Sequence, residues 1–259
     1  MDKHRWTRMD TDGHGWTGDE FIRVNPCPSV SMIELLRVSK IFNAGKPNAY
    51  TALKDIDLSI AGNCLTVFKG PSGSGKTTLL GIIGCMARPT SGRIFLQGRE
   101  ITSLPERFAA RTRRHTFGFV FQNYNLIKGL SVLENTMVPA YPDGEKHHLI
   151  KQRALELLEK LGIRPKAQLK VEYLSGGEQQ RTAIARALIN DPSIVIADEP
   201  TAHLDTELSV ALLDIVSVLK DEGKTVLIAS HDPLVFESAI ADRVVGLRDG
   251  VVISQGTSL

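Results

Sequence analysis

From Met32 onward, apolar residues recur in two alternating rhythms. Short runs of β-branched and aromatic residues (LTVFKG, TFGFVFQ, SIVIAD, TVLIAS, RVVGLRDG and VVISQG) are bounded by turn residues and predict strands. Between them, TTLLGIIGCMA, HHLIKQRALELLEKLG, EQQRTAIARALIN and LSVALLDIVSVLKDEG place apolar side chains at three- and four-residue steps and predict helices. Near-continuous apolar strands separated by helices imply a mainly parallel sheet covered on both faces, an α/β fold. The stretch from about Asn123 to Gln180 keeps helical pattern without a strand, which predicts a helical subdomain inserted into the α/β core.

Residues 1–31 break this rhythm. They are polar, rich in Gly and Asp, and end in NPCPS, so a disordered N-terminal extension is expected, with the folded domain at 32–256. Within the extension, Asp10 to Phe21 (DTDGHGWTGDEF) resembles a calcium-binding EF-hand loop. His14 falls where an oxygen ligand is wanted, and Phe21 falls where the bidentate acid belongs. A solvated tail is the expectation there.

The 259 residues allow one large domain, and a 42% hydrophobic share is enough for a core. A formal charge of +2 gives no footing for nucleic acid or an anionic membrane surface. Three cysteines, Cys27, Cys64 and Cys85, without paired spacing point away from a disulfide framework or zinc site and toward a reducing cytosol, with Cys64 and Cys85 as core residues. No apolar run approaches the ~20 residues needed to cross a bilayer. The opening MDKHRWTRMDTDGHGWTGDE has no apolar signal segment, so membrane action would need a second chain.

Chemistry enters at GPSGSGKT: Gly70, Pro71, Ser72, Gly73, Ser74, Gly75, Lys76 and Thr77, followed by Thr78. The motif sits after the strand LTVFK and opens a helix, the context in which it cradles phosphates. Glycines let successive backbone N–H groups turn inward, and the helix end adds partial positive charge. Lys76 is expected to reach the β- and γ-phosphates, and the Thr77 hydroxyl a Mg²⁺ ion.

A second anion-reading element follows. In LSGGEQQR, Ser175, Gly176, Gly177 and Glu178 stand at the start of a predicted helix, offering a hydroxyl and bare amides. This stretch resembles the signature sequence of ABC (ATP-binding cassette) transporter ATPases, and the other motifs follow in that family's order from about Met32 to Gly256. The resemblance implies a P-loop core of ABC type with an N-terminal antiparallel β part, ATP and Mg²⁺ as ligands, and ATP hydrolysis coupled to transport. It implies two copies packed head to tail, each signature touching the γ-phosphate held by the other, and an integral membrane permease as partner. The place of action would be the cytoplasmic face of the inner membrane.

The resemblance also assigns residues. In SIVIADEP, Asp198 would hold Mg²⁺ through water, and Glu199 would be the general base. His231, in TVLIASHD, looks like the switch histidine on the γ-phosphate, and Gln122, in FGFVFQNYN, matches the glutamine that contacts Mg²⁺ and the attacking water. Asp205 is the acid of the loop TAHLD that crosses the dimer interface, where His203 departs from the smaller or amide residue usual in the family. Phe42 stands where a tyrosine commonly stacks on adenine and keeps the stacking face, with Tyr50 as the alternative ring. The text around Gln122 and after the signature is most similar to the lipoprotein-release and macrolide-export group, which implies export or extraction of a lipoprotein, peptide or drug-like substrate. An ATP-clamped regulatory module of cell-division type and an importer ATPase are the alternatives.

Overall fold

The computed structural model describes residues 31–202 and 204–256. The EF-hand-like segment Asp10 to Phe21, Cys27 and His203 lie outside the described residues.

The described residues form two sheets. Strands β1 (Ser31–Phe42), β2 (Tyr50–Ala61), β4 (Ser91–Leu96) and β5 (Arg99–Glu100) make a four-stranded antiparallel sheet in the order β2-β1-β4-β5. Strands β3 (Leu65–Lys69), β6 (Phe117–Val120), β7 (Ile194–Asp198), β8 (Thr225–Ser230), β9 (Arg243–Arg248) and β10 (Val251–Gly256) make the second, in the order β10-β9-β3-β8-β7-β6. Its five strands from β9 to β6 run parallel, and β10 returns antiparallel on β9. All six stretches read as strands from the sequence are in this second sheet.

Period-two alternation decides which core each side chain of the parallel strands joins. Val67 of β3, Val195 and Ala197 of β7, and Val226 and Ile228 of β8 face a core shared with the helical part of the chain. Phe68, Ile194, Ile196, Leu227 and Ala229 face the other core, against β1, β2 and helix α1 (Lys76–Ile83). Both faces of these strands are therefore dry, which is why they read as unbroken apolar runs.

Helix α2 (Glu106–Thr116) precedes β6, and the segment between β6 and β7 holds α3 (Val132–Met137), α4 (His147–Lys160) and α5 (Gly176–Leu188) with three short 3₁₀ turns. Its one β pairing among the described residues is the isolated bridge Ser131 to Lys170. The fully buried Asn135 of α3 pins the loop ahead of it: its Oδ1 accepts from the Ile127 N–H at 2.7 Å, and its amide donates to the carbonyls of Ile127 and Ser131. Helix α6 (Thr206–Asp221) lies between β7 and β8, and the short α7 (Pro233–Phe236) follows β8.

Cys64 is buried, as expected, but it is disulfide-bonded, which corrects the expectation of no disulfide. Cys85 is a free thiol.

Candidate functional site

Four neighbouring parallel strands end on one side of the sheet, and each delivers a chemical group there. After β3 comes the glycine-rich loop, after β6 Gln122, after β7 Glu199, and after β8 His231. Open parallel sheets place their ligand site beyond the carboxyl ends of their strands. The result is a cleft of about 340 Å³ lined by Tyr50, Ser72 to Thr78, Gln122, Glu199 and His231, with Ala52 beside them.

The glycine loop owes its shape to close approach. A Cβ on Gly70 would stand 2.1 Å from the Leu247 carbonyl oxygen. Gly75, at φ +103°, would place one 2.7 Å from the Ala52 oxygen, so only glycine fits. Immediately after it α1 begins, with no side chain capping its first turn. The Ser74 hydroxyl is buried there without a hydrogen-bond partner, a donor and acceptor left over for a ligand.

Lys76 is only 6% exposed, and its ammonium has a use for each of its three protons. It donates to the Gly70 carbonyl at 2.7 Å and the Pro71 carbonyl at 3.2 Å, and it meets Glu199 Oε1 at 3.2 Å. The other carboxylate oxygen, Oε2, accepts from the His231 N–H at 3.3 Å and lies 2.8 Å from His231 Nδ1. Glu199 itself adopts φ +47°, in the left-handed region, where its N–H donates to the Ala229 carbonyl at 2.8 Å. Such a backbone costs about 1–3 kcal/mol in a non-glycine residue and persists only where the surroundings hold it.

One residue earlier, Asp198 Oδ1 accepts from the Thr77 hydroxyl at 3.1 Å. Burial pushes the Asp198 carboxyl above its ordinary value, and neighbouring Glu199 adds to the rise, while the Thr77 bond and Lys76 pull it back. Thr77 and Asp198 together are hard oxygen donors of the kind Mg²⁺ takes, one or two from protein and the rest from phosphate and water.

Other expected site residues lie outside this cleft. Ser175 and Gly176 are exposed at the start of α5, and none of Ser175, Gly176, Gly177 and Glu178 lines it. The Glu178 carboxylate turns back to accept from the Ser175 N–H at 3.0 Å. Asp205 caps α6, accepting from the Leu208 N–H at 2.8 Å. Phe42 is 42% exposed with the Lys40 ammonium 5.1 Å from its ring, and it does not line the cleft. Its cross-strand partner Tyr50 does, with its hydroxyl 3.4 Å from the Gly73 carbonyl.

Sequence reasoning missed Arg186. Its guanidinium, on α5, donates to the carbonyls of Tyr124 and Asn125, two residues at left-handed φ of +57° and +48° just beyond Gln122. Burial holds the guanidinium below its ordinary pKa. It ties the helix that begins at the signature to the loop that carries the cleft glutamine. An arginine inside a helical repeat reads as a solvent-facing residue, and only the loop's folded shape reveals the contact.

The ABC transporter family pattern matches residues 53–202. The macrolide export ATP-binding/permease protein MacB of Rhodopseudomonas palustris is 43% identical over 224 residues, covering 86% of this chain and 34% of that protein. The chain thus spans about a third of the length of such relatives. The uncharacterised ABC transporter ATP-binding protein YvrO of Bacillus subtilis is 42% identical over 222 residues, covering 86% of this chain and 96% of that one. Among solved structures, a dimeric post-hydrolysis state of the ATP-binding cassette MJ0796 with ADP and Pi superposes with a TM-score of 0.81 at 36% identity, covering 88% of this chain and 99% of that one. The chain belongs to the ABC transporter family and is an ATPase cassette of that family.

Proposed function

We propose that this cassette hydrolyses ATP between two copies of itself and so drives a membrane permease that exports or extracts a lipoprotein, peptide or drug-like substrate. The observation that carries the two-copy reading is the separation of its two phosphate-reading elements. The loop at Ser72 to Thr78 lines the cleft, whereas the Ser175–Gly176 turn stands exposed outside it. An exposed helix start that does not border the phosphate cleft of its own chain fits a nucleotide held by a second chain.

In this reading Lys76 leaves the Gly70 and Pro71 carbonyls for the β- and γ-phosphates, and the unpartnered Ser74 hydroxyl finds an acceptor. Magnesium, when bound, neutralises charge developing on the phosphate oxygens; Thr77, Asp198 and Gln122 would hold it. Glu199, freed from Lys76, accepts the proton of the attacking water, and His231 orients the carboxylate and the γ-phosphate. From the second copy come Ser175, Gly176 and Gly177, while Asp205 sits on the loop that crosses the interface. Phe42 is the base platform. The catalytic domain spans 32–256, with the helical subdomain at about 123–180.

The permease contact is assigned to a groove of about 310 Å³ beside the Gln122 loop, lined by Met86, Arg113, Phe119, Phe121 and Arg186 among others. Among the described residues no helix is long and apolar enough to cross a membrane. The similarity to macrolide export ATP-binding/permease proteins supports a drug-like export substrate and a permease partner; the cassette would act at the cytoplasmic face of the inner membrane.

Size-exclusion chromatography of Glu199→Gln with ATP and Mg²⁺ tests the two-copy reading. A stable ATP-dependent dimer is expected, and a persistent monomer that still binds ATP would remove it. Reconstitution with the permease should then show ATPase stimulation together with substrate movement; stimulation without movement would favour a regulatory module.

A further inference from the structure

Helix α5 starts with a built-in conflict. A glutamate at its third position stabilises the helix, because its carboxylate caps a free N–H and complements the positive helix end. That position is Glu178, next to Gly177 in the turn meant to receive a phosphate. A carboxylate there opposes the anion that the same amides attract. The side chain is ionised in this setting, since the Lys166 ammonium, ahead of the Ser175 N–H, holds its carboxyl below the usual range.

Lys166 comes from a different element. It closes the 3₁₀ turn Arg164–Lys166 and pairs with Glu178 Oε1, while Oε2 accepts from the Ser175 N–H at 3.0 Å. Both carboxylate oxygens are therefore engaged, and the Glu178 side chain is 17% exposed beneath a lysine at 42%. Had the lysine's role been to stiffen a surface turn, any acid on that turn would have served. It meets the single acidic residue of the first turn of the signature helix.

We propose that Lys166 is a positioning residue for nucleotide-driven dimerisation: it cancels the charge of Glu178, so the signature helix keeps its cap without repelling the triphosphate held by the second copy. The inference rests on the two-copy reading above and concerns the face that receives the partner's nucleotide. The cleft around Lys76 is a separate surface, so ATP binding to one chain does not depend on Lys166.

The test uses the full chain in the Glu199→Gln background with ATP and Mg²⁺, the dimer dissociation constant being read by sedimentation velocity. Lys166→Met keeps the aliphatic stem and removes the charge. It should raise that constant about tenfold, on the order of one unit charge near a protein surface, and the difference should shrink as salt is added. Adding Glu178→Gln to Lys166→Met should bring it back to within about twofold, whereas Lys166→Arg should leave it unchanged. Monomer affinity for ATP and the melting temperature of Lys166→Met should match the parent. A Lys166→Met dimer as tight as the parent, or a defect that Glu178→Gln does not relieve, would overturn the proposal and leave the two-copy reading intact. If the Glu199→Gln parent forms no dimer with ATP, both fall.

Discussion

Lys76 Nζ lies 3.2 Å from Glu199 Oε1, so the proposed phosphate-binding cation and the proposed base form an ion pair. Each is nearly buried, at 6% and 11% exposure, where an unpaired charge is costly. In the proposed mechanism a triphosphate would give the lysine a stronger partner and release the carboxylate, which would couple activation of the base to occupancy of the phosphate loop.

Removing the lysine should weaken both states. Lys76→Met should reduce ATP affinity by more than tenfold in calorimetric titration, since charge-assisted bonds to phosphate are lost. It should also lower the stability of the nucleotide-free protein by about 1–3 kcal/mol, because Glu199 is left with His231 alone. Adding Glu199→Gln should recover part of that stability in thermal melts without recovering affinity.

Glu199→Gln and His231→Ala should separate binding from chemistry. The first should lower kcat by about 10²–10⁴ with ATP affinity retained, as expected for loss of a general base. The second should act on kcat in the same direction but less, because the base remains and only its orientation is relaxed. Turnover of Glu199→Gln at the wild-type rate would remove the residue from that role.

Phe42 and Tyr50 face each other across β1 and β2, and these adjacent rings are the two candidates for stacking on the base. Phe42→Ala should raise the KM for ATP about 5- to 10-fold with kcat nearly unchanged, the pattern of lost uniform binding worth about 1 kcal/mol of stacking. Tyr50→Phe should stay within about twofold. Were the loss to fall on Tyr50→Ala and spare Phe42→Ala, the platform would be Tyr50.

Arg186→Ala should strip the Tyr124 and Asn125 carbonyls of their donors. About 1–3 kcal/mol of stability should go with them, read as a shifted denaturant midpoint. Proteolysis should speed up around residues 122–126 as that loop loosens. Arg186→Lys should recover little, since one ammonium does not reproduce the planar fork.

Much of the fold was legible because its central strands are buried on both faces. LTVFK, IVIAD and TVLIAS leave no polar gap in which a helical period could compete. Helix α2 was not legible, for the opposite reason. In ERFAARTRRHT only Ala109 is buried, so no apolar stripe marks it. Its anchor outside the helix is Arg113, which donates to the Cys85 carbonyl, and a contact across that distance in the chain leaves no periodic trace. Strand β1 was obscured by irregular register against β2, which interrupts the alternation of IELLRVSKIF. At the site, the motifs identified Lys76, Asp198, Glu199 and His231 as neighbours. That the proposed base pairs with the lysine is a matter of distances, and spacing in a sequence carries none.

The exposed Ser175–Gly176 turn and the cleft behind Gly70 to Thr78 belong to one chain but would serve different nucleotides. Damage is then shared out unevenly. A chain lacking Lys76 and a chain lacking Ser175, each inactive when paired with its own kind, would when mixed concentrate both lesions in one compartment of the hybrid and leave the other whole. Two dead proteins should therefore restore partial turnover to each other, a genetic signature that an enzyme completing its site within a single chain could not produce.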